Sequence, residues 1–153
     1  MKAIQEVVSK KMENYPEKVL QFGEGNFLRA FADWMIDKAN REGPYKGGIV
    51  LCQPINKGLS AIINEQDGLY TLARRGIENG KAVERIEQIT SVSRCINPYE
   101  DYDALLSLAR SADLEVVISN TTAAGLAYCA TDQQDDRPPT SFPPTARVFL
   151  FDP

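Results

Sequence analysis

Short continuous apolar runs alternate along the chain with segments of helical spacing. Residues 18–23 (KVLQFG) are the first such run, and residues 26–42 (NFLRAFADWMIDKANRE) follow with Phe27, Ala30, Phe31, Trp34, Met35 and Ile36 recurring at the period of one helix face. The run reads as a buried strand and the recurrence as an amphipathic helix, which assigns Phe31 and Trp34 to the core. Gly43 and Pro44 break the helix, and residues 47–54 (GGIVLCQP) supply a second buried strand. Together the three segments make one β-α-β unit.

The middle of the chain has a different rhythm. Residues 69–93 alternate loosely around Glu78-Asn79-Gly80-Lys81, and Asn-Gly flanked by alternating residues predicts an antiparallel hairpin, here inserted after the first crossover. Asn97-Pro98-Tyr99-Glu100 reads as a helix start, with Asn97 as N-cap, Pro98 at the first helical position and Glu100 closing a capping box, the helix running to about Ser111. Residues 114–120 (LEVVISN) form a further apolar strand that ends in the polar cluster Ser119, Asn120, Thr121, Thr122. The expected fold is α/β, a Rossmann-type dinucleotide-binding arrangement with an inserted antiparallel β-hairpin. No internal repeat is visible. In open α/β sheets ligands sit beyond the carboxyl ends of the strands, so Gly23 to Asn26 and Ser119 to Thr122 are expected to line one crevice.

Composition narrows the function. At 153 residues the chain is expected to be one domain over 1–153, with 138–153, the proline-rich end, as a tail. Hydrophobic residues make up 43%, charged residues 25%, and the net charge is −4. That balance suits a soluble globular domain and offers no electrostatic footprint for nucleic acid or an anionic membrane. Small molecules are the expected partners. The opening MKAIQEVVSKKMENYPEK has no apolar leader segment, and no uninterrupted apolar run approaches the ~18 residues of a bilayer span, so a cytoplasmic location is expected. Cys52, Cys95 and Cys129 are odd in number, far apart and without CxxC spacing, which suggests neither disulfides nor a metal site and leaves them as small hydrophobes. The chain has no histidine. Ser-His-Asp and Cys-His catalysis are therefore unavailable to it alone.

The glycine pair is the leading candidate for chemistry. In a dinucleotide fold the first glycine makes the tight turn out of the strand and the second lets backbone approach the pyrophosphate, whose charge is met by amides at the helix start. Gly23 and Gly25 meet both demands, while Leu28 stands where the usual third glycine would be. The spacing fits either a phosphate cradle or an ordinary strand-to-helix turn. Arg29 lies near the positive end of the helix dipole. A bound anion would account for it there, and so would a solvated place on the outer helix face. At the end of the second strand, where an acid commonly meets the adenosine ribose, the chain has Gln53-Pro54. Gln53 can hydrogen-bond a ribose but neither repels a 2′-phosphate nor holds one, so NAD and NADP stay open; it can equally end the strand with no ligand.

Three separated blocks carry a resemblance. VLQFGEGNFLRAFADWMID, QDGLYTLARRG (residues 66–76) and VVISNTTAAGLAY (residues 116–128) closely resemble, in the same order, the N-terminal segment of enzymes of the mannitol dehydrogenase family, over residues 15–142. The resemblance implies an NAD-dependent oxidoreductase that reduces the keto sugar acid tagaturonate to altronate. It implies that Gly23, Gly25, Asn26, Phe27 and Arg29 hold the pyrophosphate, that Gln53 lies near the adenosine ribose, and that Asn120, Thr121 and Thr122 lie near the nicotinamide ribose. It further implies a large helical domain that carries the substrate pocket and a catalytic lysine and begins beyond SFPPTARVFLFDP. Catalytic residues are then not expected in this chain, which by itself should not turn over. Ala123 stands where the family usually has Glu. The alternatives are a non-catalytic nucleotide-binding or interaction module, with Val148, Phe149, Leu150 and Phe151 as candidates for self-association, or a related reductase acting on fructuronate or mannitol.

Overall fold

Val19, Leu20 and Gln21 are buried in strand β1 (Glu17–Phe22), and all of strand β2 (Gly48–Cys52) is buried. Continuous apolar runs of this kind are what a sheet covered on both faces requires. A computed structural model describes residues 14–120. Thr121, Thr122, Cys129 and the expected tail lie outside the described residues.

Strands β1, β2, β5 (Val92–Ile96) and β6 (Val116–Ser119) form one parallel sheet in the order β5-β2-β1-β6. Phe22 pairs with Cys52 on one side and with Ser119 on the other. The carboxyl ends of β1, β2 and β6 thus lie side by side, as the crevice argument requires. Strands β3 (Tyr70–Glu78) and β4 (Lys81–Ile89) make a separate antiparallel sheet, closed by Asn79 and Gly80, both at positive φ. The Asn-Gly pair turns here because it is among the few that tolerate that backbone cheaply.

The first crossover is one helix, α1, made of Asn26–Leu28, a π-helical turn Arg29–Asp33, and Trp34–Glu42. It stops at Gly43, whose amide bonds the Ala39 carbonyl, and Asn40 bonds both the amide and the carbonyl of Gly47 to lead the chain into β2. Helix α2 (Ser60–Glu65) follows β2, and helix α3 (Tyr102–Ala109) follows β5. The core has two halves, one on each sheet face. Val19, Ile49 and Leu51 pack with Ile63 of α2 and Ile36 of α1, while Leu20, Val50 and Cys52 pack with Leu108 of α3. Fully burying a side chain of this size stabilises the fold by about 1.5–3 kcal/mol.

Several sequence expectations change. The helix expected from Asn97 begins at Tyr102, because Asp101 is the N-cap and accepts from the Ala104 amide at 2.9 Å. Asn97 instead caps the preceding turn, receiving the Tyr99 amide on its side chain and the Asp101 amide on its carbonyl. Strand β5 and helix α2 were not separately expected. Phe31 is not a core residue: it is 53% exposed and stacks on Phe27, which is 63% exposed. The buried side of α1 carries Leu28, Asp33, Asp37 and Asn40 instead. Trp34 is half-buried beneath the hairpin, with its indole N–H on Glu87 and the Arg74 guanidinium 4.4 Å from its ring centre.

Candidate functional site

The turn between β1 and α1 is built for close approach. Gly23 sits at φ 110°, a conformation that side chains disfavour, and its amide bonds the Cys52 carbonyl at 2.9 Å, which ties the turn to the end of β2. Nothing lies within 4 Å of the place a Cβ would take at Gly25. Gly25 is the N-cap of α1 and offers no side-chain hydrogen bond to the first helical amides. An open approach to uncapped amides at the positive end of a 17-residue helix (residues 26–42) is a fitting seat for an anion such as a pyrophosphate.

Asn26 and Phe27 open the helix, and Arg29 begins its π-helical turn. The Arg29 side chain is not spread on the outer face. Its Nη2 donates to Asn26 Oδ1 at 2.7 Å, and its guanidinium lies 5.3 Å from the Tyr70 ring centre. The Tyr70 hydroxyl donates to the Arg29 carbonyl at 2.6 Å and lies 3.3 Å from Asp33 Oδ2. The hydroxyl of the hairpin's first residue thus ties the hairpin to the π-helical turn of α1.

Below this turn lies a buried polar cluster. Gln21 and Asp33 are fully buried, and among the described residues the buried atoms without a partner are Gln21 Oε1, Arg29 Nε and Asp33 Oδ1. Burial pushes the Asp33 carboxyl up to about 7, against the opposing pull of Tyr70 and Arg29. A cavity of about 10 Å³, the size of one water, borders Arg29, Gln66 and Tyr70.

Gln53 is held differently from the sequence expectation. It is buried, its Nε2 donates to the carbonyls of Ile55 and Asn56, and its Oε1 accepts from the Ser60 amide. The carboxamide is turned into its own loop, where it starts α2, and its hydrogens are not free for a ribose. Glu24, buried between the two glycines, reaches this loop, with Oε1 3.4 Å from the Leu59 amide. Asn120, at the end of β6, borders an open apolar groove of about 650 Å³ that also takes in Phe27, Phe31 and Met35 of α1. The structure therefore brings Gly23, Gly25, Asn26, Phe27 and Arg29 to one strand edge with Asn120 nearby, and sets Gln53 apart beneath its loop.

Sequence reasoning missed Glu24, Asp33 and Tyr70. A signal existed for Asp33, since Asp33, Asp37 and Asn40 recur at helical spacing as a polar stripe and all three prove buried. Cys52 and Cys95 are buried free thiols, both pushed up to about 12, mainly by burial, and packed as small hydrophobes. No helix among the described residues is long and apolar enough to cross a membrane.

Comparison with known proteins points the same way. The family model described as the mannitol dehydrogenase Rossmann domain matches residues 17–150. An altronate oxidoreductase of Klebsiella pneumoniae is 48% identical over 139 residues, covering 90% of this chain and 29% of that protein. One from Bacteroides thetaiotaomicron is 41% identical over 151 residues, covering 99% of this chain and 31% of its own length. The chain thus spans less than a third of the relatives it matches. Among solved structures, a ternary complex of Pseudomonas fluorescens mannitol 2-dehydrogenase with NAD and D-mannitol superposes with a TM-score of 0.62 at 20% identity, over 70% of this chain and 22% of that one. A substrate-free D-sorbitol dehydrogenase gives 0.61 at 22% identity, over 72% and 23%. At such identity these two structures bear on the fold alone.

Proposed function

The chain belongs to the mannitol dehydrogenase family, and from that membership we propose that it is the NAD(H)-binding part of a cytoplasmic oxidoreductase that reduces tagaturonate to altronate. The observation that carries the reading is the uncapped start of α1 behind Gly23 and Gly25. In this reading the amides of the turn, with Asn26 and Phe27, hold the pyrophosphate, and Arg29 adds the cation that an acidic chain must supply locally. Asn120, Thr121 and Thr122 hold the nicotinamide ribose. The altronate oxidoreductases among the relatives support the sugar-acid substrate.

When bound, the nicotinamide carries the hydride, while a ketone also needs a proton donor and a dry pocket. The chain has no histidine, Asp33 is buried on the inner side of α1 and Glu24 is buried against the loop that follows β2, so among the described residues no exposed acid or base at the strand ends serves as donor. The 153-residue chain therefore binds cofactor without turning over sugar acid. Calorimetric titration with NADH, with Arg29→Ala alongside, tests the binding half. Saturable binding weakened about tenfold or more by the substitution is expected, and absence of binding by the unsubstituted chain would overturn it. NADH consumption with tagaturonate by the same preparation would overturn the claim that catalysis needs more than this chain.

A further inference from the structure

Glu24 is hard to explain as packing. It is 7% exposed, forms no ion pair among the described residues, and its one hydrogen bond, to the Leu59 amide, is long at 3.4 Å. Burying a carboxylate with so little compensation is unfavourable. It also stands between two glycines of a turn whose amides suit an anion, where a second negative charge opposes binding. A residue that breaks two local rules at once is usually held in place by function.

Its surroundings say which function. The Glu24 carboxylate reaches across from β1 to the loop that follows β2. A Cβ at Gly58 would collide with both Glu24 Oε1 and the Gln53 carboxamide, so both side chains pack against this glycine. A dinucleotide fold ordinarily places an acid at the end of its second strand to take the adenosine ribose hydroxyls. In this chain that position is Gln53, whose amide hydrogens are spent on Ile55 and Asn56. The charge lacking at β2 is present beside it, delivered from the other strand.

We propose that Glu24 is the specificity determinant for the unphosphorylated cofactor, its carboxylate repelling a 2′-phosphate at the end of β2. The assignment rests on the NAD(H) reading above. It explains why Gly58 is bare and why a carboxylate is kept in an anion-binding turn: the pyrophosphate is met by backbone amides, and the negative charge faces the ribose side. Lys57, exposed on the same loop, is the competing group, a cation able to attract the phosphate that Glu24 repels.

The test is fluorescence titration of the full chain with NADH and NADPH, for the unsubstituted protein and Glu24→Gln. Glutamine keeps the oxygen that accepts from Leu59 and removes only the charge, so a thermal melt near that of the parent checks that the loop is retained. The expected result is a preference for NADH in the parent that narrows by at least about tenfold in the variant, through tighter NADPH binding. An unchanged preference, with the parent binding NADH, overturns the role of Glu24 and leaves the NAD(H) reading standing. Binding of neither nucleotide by the parent removes both. A parent that prefers NADPH, and loses that preference in Lys57→Ala, also overturns the assignment. If Glu24→Gln gives no cooperative melt, the salt dependence of the parent decides. Repulsion requires the NADH-to-NADPH preference to shrink as salt rises, and a preference that grows with salt overturns the proposal.

Discussion

The parallel sheet and the β3–β4 hairpin are held by opposite chemistry. Ile49, Val50 and Leu51 in the sheet are fully buried, whereas Ile77 and Ile86 in the hairpin are 78% and 69% exposed. Salt bridges from Arg74 to Glu87, Arg75 to Glu84 and Arg85 to Glu78 link the two hairpin strands. The hairpin reaches α1 through Trp34 with Glu87, Arg41 with the Gln88 carbonyl, and Asp37 with Thr90. A sheet held by area resists change everywhere, while a hairpin held by polar contacts depends on a few anchors. Its base, Tyr70 opposite Ile89, reaches furthest into the core, since Ile89 is fully buried, and there Tyr70 meets the turn proposed to bind cofactor.

The comparison breaks most sharply at Leu51. Leu51→Ala is expected to lower stability by about 2–5 kcal/mol, read from urea melts, because it opens a cavity between Ile63 and the sheet. A loss as small as that of a hairpin surface residue would show the sheet core to be loose.

Asp33 comes next, through its pH dependence. Its folded value of about 7 lies above the ordinary 3.8, so the protonated carboxyl favours the fold at low pH, and that contribution is lost as pH rises through about 7. Asp33→Asn is expected to remove this part of the slope, gaining on the parent between about pH 4 and pH 7 and levelling off above, in melts across that range. Parallel stability profiles for the two proteins would contradict a buried, protonated Asp33.

Tyr70→Phe sharpens the coupling between regions. Removing the hydroxyl that bonds the Arg29 carbonyl should cost about 0.5–1.5 kcal/mol and weaken NADH binding, while the hairpin keeps its cross-strand pairing. Unchanged melting and affinity would mean that the hairpin does not support the turn. The smallest effect is expected at Glu84, whose partner Arg75 is 79% exposed. Glu84→Ala should change stability by less than about 1 kcal/mol, because exposed ion pairs are screened.

These contrasts also explain what could be read from the amino-acid order. Residues 18–23 and 47–54 revealed β1 and β2 because a sheet covered on both faces demands unbroken apolar runs, and Asn79-Gly80 marked the hairpin because few other pairs turn that tightly. Strand β5 escaped because Ser93 and Arg94 interrupt its apolar run and VSRCI follows β4 after only Thr90 and Ser91, so it resembles a continuation of the hairpin. Helix α2, six residues long, is too short for a period to show. The helix expected at Asn97 slid to Asp101 because two capping residues compete within five positions. On the site side, Gly23 and Gly25 announced themselves by backbone need, whereas the part played by Gln53 depends on where a loop folds over it. Helical spacing assigns Phe31 to the core, although it lines the groove with Phe27 and Met35. Spacing alone does not say which side of a helix meets the sheet when Asp33, Asp37 and Asn40 have buried partners to reach.

The most direct test of the cofactor seat is amide chemical-shift mapping of the full chain titrated with NADH. The account expects the largest shifts at Gly23, Gly25, Asn26 and Phe27, smaller ones at Arg29 and Asn120, and none at the Asn79-Gly80 turn. Shifts centred on the hairpin or on α3, with the glycine turn unmoved, would contradict it.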